Sequence, residues 1–202
     1  MKKLIGLVGT NSTQSTNRQL LQYMKKHFAQ DAKIELVEID HLPLFNKPEN
    51  YTVIPEVQAM ADKIEEADGV IIATPEYDHS PTAALNNALA WLSYKVYPFI
   101  DKPVMIVGAS YGTLGSSRAQ IQLQQTLEAP ELKARTMPSS EFLLGHSLQA
   151  FNTDGDLVYE NKVEELEAIF ADFLQFVEIV EQLPNAKRVN KETAKKFIWD
   201  EI

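Results

Sequence analysis

Three polar segments carry the residue types that could do chemistry. The first is Gly9-Thr10-Asn11-Ser12-Thr13-Gln14-Ser15-Thr16-Asn17-Arg18, where every residue from Thr10 to Asn17 except Gln14 is Ser, Thr or Asn. Capping a helix needs one such residue. A run of them at a helix start, where backbone N–H groups lack partners, suits a phosphate held by N–H groups, hydroxyls and the helix dipole. The run has neither the Gly-Lys-Ser/Thr end of a Walker A loop nor the Gly-x-Gly-x-x-Gly dinucleotide pattern. The second segment is Thr74-Pro75-Glu76-Tyr77-Asp78-His79-Ser80-Pro81. Its two prolines stiffen it, and the N–H groups of Glu76, Tyr77 and Asp78 are expected to point at a ligand. The third is Gly108-Ala109-Ser110-Tyr111-Gly112-Thr113-Leu114-Gly115-Ser116-Ser117-Arg118. Its glycines permit positive φ and close backbone approach. It also contains Gly-x-Ser-x-Gly between a strand and a helix, which formally matches a hydrolase elbow with Ser110 as nucleophile. Of the four histidines only His146 follows it, and the acid would have to be Glu128, Glu131 or Glu141. The chain is short for that hydrolase fold.

The elements that must position these segments are legible as alternating patterns. Short apolar runs occur at Leu4–Val8, Ile34–Ile39, Val70–Ala73, Val104–Val107 and, more weakly, Ala134–Met137. Between them apolar residues recur at helical spacing: Leu20, Leu21, Met24 and Phe28, then Val57, Met60, Ile64 and Ala67, then Leu85, Ala88, Leu89 and Leu92. Val163, Leu166, Phe170, Phe173, Leu174, Val177 and Val180 carry that spacing furthest. Strands alternating with helices predict an α/β fold with a parallel sheet covered on both faces, a three-layer sandwich. The second run carries Glu35 and Glu38 and the fifth carries Arg135, so these two are expected at the edges. That gives a five-stranded sheet in the flavodoxin-like order 2-1-3-4-5, with no sixth strand read. Ligands of such sheets sit beyond the carboxyl ends of the strands at the switch point, which here brings together the loops after runs one, three and four. Those are the three polar segments.

Long connections span residues 40–54, 93–103 and 138–159, the last without clear periodicity. Residues 1–182 read as one domain and 183–202 as a C-terminal tail, basic at first and then Phe197-Ile198-Trp199, with room for a short helix. With 202 residues, a single domain is expected. The net charge of −9 argues against nucleic-acid binding. The absence of cysteine removes thiolate catalysis, disulfides and Cys-ligated metals. His27, His41, His79 and His146 are scattered without metal-ligand spacing, and Asn152-Thr153-Asp154-Gly155-Asp156 reads as an Asp-Gly turn rather than a calcium loop. The N-terminal apolar run is too short for a signal peptide and no stretch is long enough to span a membrane, so a cytoplasmic protein is expected.

In combination, in this order and with these strand contexts, the segments resemble the NAD(P)H-dependent FMN reductase family, the flavodoxin-like quinone, azo and chromate reductases. The resemblance runs from about residue 3 to 180. It includes Pro75-Glu76-Tyr77-Asp78, Asn87-Ala88-Leu89-Ala90-Trp91-Leu92-Ser93, Gly108-Ala109-Ser110-Tyr111-Gly112 and Arg118-Ala119-Gln120. It implies that Thr10, Ser12, Ser15, Thr16 and Asn17 hold the FMN phosphate. The backbone of Pro75, Glu76, Tyr77 and Asp78 then meets the isoalloxazine edge, and Ser110, Tyr111 and Gly112 line its other side. The implied activity takes hydride from NADPH or NADH and passes electrons to a small-molecule acceptor such as a quinone, azo compound or free flavin, by a ping-pong course. No side-chain acid or base is nominated, because the flavin carries the chemistry. A homodimer or homotetramer is implied, with Arg118 near the contact. Three positions depart from the family pattern: Ser12 stands where the family has Arg, Asp78 where it has Asn, and Tyr111 where Pro is frequent. A carboxylate beside the flavin would disfavour an anionic reduced ring. The alternative from another class is a non-enzymatic flavodoxin-type FMN electron carrier. Its acidic surface would dock on basic partners, but only Tyr77 and Tyr111 are available to sandwich the ring.

Overall fold

The computed structural model describes residues 1–49, 52–138 and 141–196; Phe197, Ile198 and Trp199 lie outside the described residues. The elements follow the expected alternation: β1 (Lys2–Val8), α1 (Thr16–His27), β2 (Ala32–Val37), α2 (Pro55–Glu66), β3 (Gly69–Ala73), α3 (Ala83–Leu92), β4 (Pro103–Ala109), α4 (Ser117–Leu127), β5 (Arg135–Thr136), β6 (Phe142–Leu144), a 3-10 turn (Ser147–Gln149), α5 (Glu160–Glu181) and α6 (Pro184–Lys195). All strand pairings are parallel, in the order β2-β1-β3-β4-β5. Register is fixed by the central pairs Leu4↔Gly69, Val8↔Ala73, Val70↔Val104 and Ala73↔Val107.

Side chains alternate across the sheet because strand residues have a period of two. Leu4, Val8, Ile71, Ala73, Met105 and Val107 pack under α1 and α5, against Leu20, Met24, Phe170 and Phe173. Ile5, Leu7, Val70, Ile72, Val104 and Ile106 face the other way, onto α2, α3 and α4. The three central strands are therefore buried on both faces, as their unbroken apolar sequences require. β2 lies at an edge and alternates buried with exposed positions.

The fifth strand position differs from the expectation. Two short segments fill it: β5 pairs with Pro103 and Val104, and β6 pairs with Val107, Gly108 and Ala109. Met137 still donates its N–H to Val104 O, but the next residue is Pro138, which has no N–H to continue the ladder. A sixth strand thus exists, stacked end to end with the fifth along the same side of β4. It places Leu144 O against Ser110 N–H, and so holds the third polar segment from beneath (3.0 Å).

The described part of the tail packs back on the domain. α6 runs for 12 residues, and Ala194 packs on Tyr97 and Ile100 of the α3–β4 connection. Asn190 donates to Asp101 Oδ2 (2.7 Å), and Arg135 pairs with the other carboxylate oxygen (2.7 Å). Among the described residues no helix is long and apolar enough to cross a membrane.

Candidate functional site

The loops after β1, β3 and β4 converge at the carboxyl ends of the strands. They enclose a cavity of about 350 Å³, within the size range of small-molecule sites. Backbone hydrogen bonds fix the convergence. Gly9 N–H donates to Ala73 O (2.8 Å), and Thr74 N–H donates to Val107 O (3.0 Å). Glycine is required at the first crossing, where a Cβ on Gly9 would lie 2.5 Å from Ala73 O. Thr82 ties the same point to α3: its hydroxyl donates to Gly9 O and accepts from Leu85 N–H.

Within the first loop the polar run divides its labour. Thr10 is buried and does not line the cavity; its hydroxyl accepts from Ser12 N–H (3.1 Å) and shapes the turn. Ser15 caps α1 by accepting from Arg18 N–H (3.2 Å). The N–H groups of Thr16 and Asn17, in the first turn, donate to nothing among the described residues. Ser12, Ser15, Thr16 and Asn17 all line the cavity, joined by Gln14. The Thr16 hydroxyl is within 2.8 Å of that of Ser147, just beyond β6.

Asn17 carries a second task that its sequence position did not reveal. Its Nδ2 donates to Ala109 O (2.8 Å) and its Oδ1 accepts from Ala109 N–H (2.9 Å). This two-point clasp fastens α1 to the end of β4. Arg18 is also structural: its guanidinium forks onto Glu38 (2.7 and 2.8 Å) and donates to Ser12 O (2.6 Å). Hydrogen bonding to the Glu38 carboxylate holds its pKa above the ordinary arginine value. The loop therefore has a fastened cation beneath it where the family has an arginine within it.

The second loop is a tight hairpin rather than a row of outward amides. Tyr77 and Ser80 exchange N–H···O bonds (3.0 and 2.9 Å), and Asp78 and His79 between them have φ of 50° and 65°. Positive φ at both central residues is the type I′ arrangement. The Tyr77 N–H expected to face a ligand is thus taken by Ser80. Asp78 sits at the exposed hairpin tip and does not line the cavity, so its carboxylate is not among the groups around the ring site. Pro75, Glu76 and Tyr77 do line it.

Glu76 makes a contact that spacing could not announce. Its Oε2 accepts from Arg118 N–H (3.0 Å), and Oε1 accepts from the Arg118 guanidinium (3.2 Å). The N-cap residue of α4, Ser116, has φ of 75° and makes no side-chain cap bond. Glu76 supplies the cap from another loop, a favourable place for a carboxylate at a helix start. Ser110, Tyr111 and Gly112 complete the cavity, with Ala109. The Ser110 hydroxyl donates to Gly112 O (3.2 Å), and no histidine hydrogen-bonds to it among the described residues, so the hydrolase arrangement is not formed. Gly112 is open: a Cβ built there meets nothing within 4 Å. Tyr77 and Tyr111, about half exposed, stand at the mouth.

The donor set fits a phosphate at the start of α1 and a flat ring against Gly112 and the tyrosines. No cluster of three or more potential metal ligands occurs among the described residues.

Residues 2–149 match the family described as NADPH-dependent FMN reductase. The chain is 53% identical over 195 residues to NADH:(hydroxy)cinnamate reductase subunit CrdA of Vibrio ruber, covering 96% of each. It is 40% identical over 184 residues to NADH-dependent flavin reductase subunit 2 of Lactobacillus johnsonii, covering 87% of this chain and 97% of that protein. Among solved structures, FerB, a flavoenzyme NAD(P)H:(acceptor) oxidoreductase from Paracoccus denitrificans, superposes with a TM-score of 0.79 at 25% identity, covering 88% of this chain and 98% of that one.

Proposed function

The chain belongs to the NADPH-dependent FMN reductase family, and from that membership we propose how its own residues perform an NAD(P)H-dependent FMN oxidoreductase reaction. The observation that carries the reading is the convergence of three loops on one cavity with unpaired N–H groups at one end and an open glycine at the other. The N–H groups of Thr16 and Asn17, with the hydroxyls of Ser12, Ser15 and Thr16, hold the FMN phosphate. The helix dipole of α1 supplies the positive potential that the absent loop arginine would have given. Pro75, Glu76 and Tyr77 border the ring on one side, and Ser110, Tyr111 and Gly112 on the other.

Bound FMN supplies the redox chemistry, accepting hydride from NAD(P)H and returning electrons to a small-molecule acceptor. The protein binds, orients and shields. Among the described residues Glu76 is the only carboxylate on the cavity wall, and its oxygens are occupied by Arg118. It therefore serves as a fastening between the β3 and β4 loops rather than as a base. Tyr77 and Tyr111 screen the mouth from water. Donor and acceptor use the same mouth in turn, which gives ping-pong kinetics. We place the protein in the cytoplasm as a homodimer or homotetramer. The lack of cysteine supports the compartment, and the exposed Leu114 and Ile121 beside the site support the assembly.

Titrating the apoprotein with FMN and with riboflavin tests the placement. Riboflavin lacks the phosphate and is expected to bind at least about tenfold more weakly, the worth of one or two charge-assisted hydrogen bonds. Equal affinities would remove the phosphate from the first loop.

A further inference from the structure

A second cavity of about 410 Å³ lies on the other side of the first loop. It shares Gln14, Ser15, Thr16 and Tyr111 with the flavin cavity, so Tyr111 is a wall common to both. One side is a stripe of α1, with Ser15, Gln19 and Gln22 at i, i+4 and i+7, the face opposite to Leu20, Leu21 and Met24 in the core. The other side carries Leu148 of the 3-10 turn, 60% exposed. Amides that give and take hydrogen bonds, an aromatic face and an aliphatic side chain form a surface for a nucleoside, whose ring is apolar on its faces and polar at its edges.

We propose that this groove binds the adenosine side of the reducing dinucleotide, and that its charge makes NADH the preferred donor over NADPH. The proposal rests on the flavin-reductase reading and adds to it a site for the part of the donor that does not react. The nicotinamide enters the flavin cavity while the rest of the molecule crosses Tyr111 into the groove. Gln19 and Gln22 hydrogen-bond to sugar hydroxyls or the base edge, and Leu148 covers the base face. The selectivity follows from pairing. Among the described residues Arg18 is the only cation lining either cavity, and both forks of its guanidinium are on Glu38 while a third nitrogen holds the loop carbonyl of Ser12. A 2′-phosphate would bring two negative charges into a groove whose cation is already neutralised, and would displace water without gaining an ion pair. A free 2′-hydroxyl meets neutral amides at no such cost.

The test uses FMN-loaded full-length protein and three hydride donors: NADH, NADPH and 1-benzyl-1,4-dihydronicotinamide, which has no adenosine half. In the wild type the KM for NADPH is expected to exceed that for NADH about tenfold or more, and equal values would overturn the selectivity. The double variant Gln19→Glu/Gln22→Glu changes two exposed positions of α1 and places negative charge in the groove. It is expected to raise the KM for NADH about tenfold, the scale of losing a hydrogen bond and gaining like-charge repulsion. Its rate of flavin reduction by the benzyl donor is expected to match the wild type. An unchanged KM for NADH, or an equal loss with the truncated donor, would overturn the groove assignment. A wild type whose flavin is reduced by NADPH but not by NADH would overturn this inference alone, and one reduced by neither would overturn the reductase reading itself.

Discussion

At the amino ends of the strands, buried charges are matched to one another or to backbone carbonyls, and the atoms left buried without a partner among the described residues are Tyr97 Oη and Arg135 Nε. Asp101 is buried between Arg135 and Asn190, and Lys133 reaches the other side of the Asn190 amide. Lys102, also buried, donates to Glu65 O and Ala67 O and so closes the end of α2. At the carboxyl ends the chain does the reverse. N–H groups at the start of α1 stay unpaired and two tyrosines stand half exposed, while positive φ occurs at both ends, in Asp78, His79 and Ser116 here and in Lys95, Tyr97, Asp101 and Lys133 at the other. The side chains that are paired there, Asn17, Arg18 and Glu76, bond to loop backbone or fasten one loop to another. At one end of the sheet buried charges are matched within the chain; at the other, backbone donors stay open.

This contrast can be broken most severely at Gly9. Alanine there puts a Cβ 2.5 Å from Ala73 O, a backbone atom that cannot rotate away. Gly9→Ala is expected to destabilise by about 3 kcal/mol and to abolish FMN binding, read by thermal unfolding and flavin retention after desalting. Next is Asn17→Ala, which strands the N–H and C=O of Ala109 at a buried position. A loss of about 2 kcal/mol in stability is expected together with a roughly tenfold weaker FMN affinity. An affinity loss without a stability loss would mean that Asn17 acts on the phosphate alone.

Asp101→Ala probes the other end. It leaves Arg135 without its carboxylate and releases Asn190, so about 2 kcal/mol of stability is expected to go, discounted because Arg135 is partly exposed. FMN affinity is expected to be unchanged, and a parallel fall in affinity would erase the distinction between the two ends. The smallest effect lies at the β2 edge. The Lys63 ammonium donates to Glu35 and holds its carboxyl below the usual 4.5. A depressed folded pKa contributes stability that is present above the unfolded value and lost as pH falls through the folded one. Both groups are half exposed, so Lys63→Gln is expected to remove only a few tenths of a kcal/mol of acid sensitivity. Thermal midpoints with identical slopes below about pH 5 in both proteins would contradict that.

The sequence was most legible where one period or one loop type decides the outcome. Continuous apolar runs marked the central strands, charged runs marked the edges, and the switch point then located the site. It was least legible where a residue's partner is distant in sequence. β6 has three residues, follows Pro138, and exists because β4 offers an unpaired edge at Val107–Ala109. Asn17 reads as one more polar residue in a polar run until Ala109, 92 residues on, occupies its amide. Glu76 caps a helix 42 residues away, and a cap supplied from another loop has no local pattern. Asp78 looked like a flavin neighbour because the motif is linear, whereas the type I′ turn carries it out to the tip.

The central claim is that the carboxyl-end cavity holds FMN where NADH can reduce it. Anaerobic mixing of FMN-loaded, desalted protein with NADH tests it most directly, followed by flavin absorbance. Rapid bleaching of a flavin that co-elutes with the protein is the predicted result. A retained flavin that keeps its absorbance with both NADH and NADPH would contradict the claim.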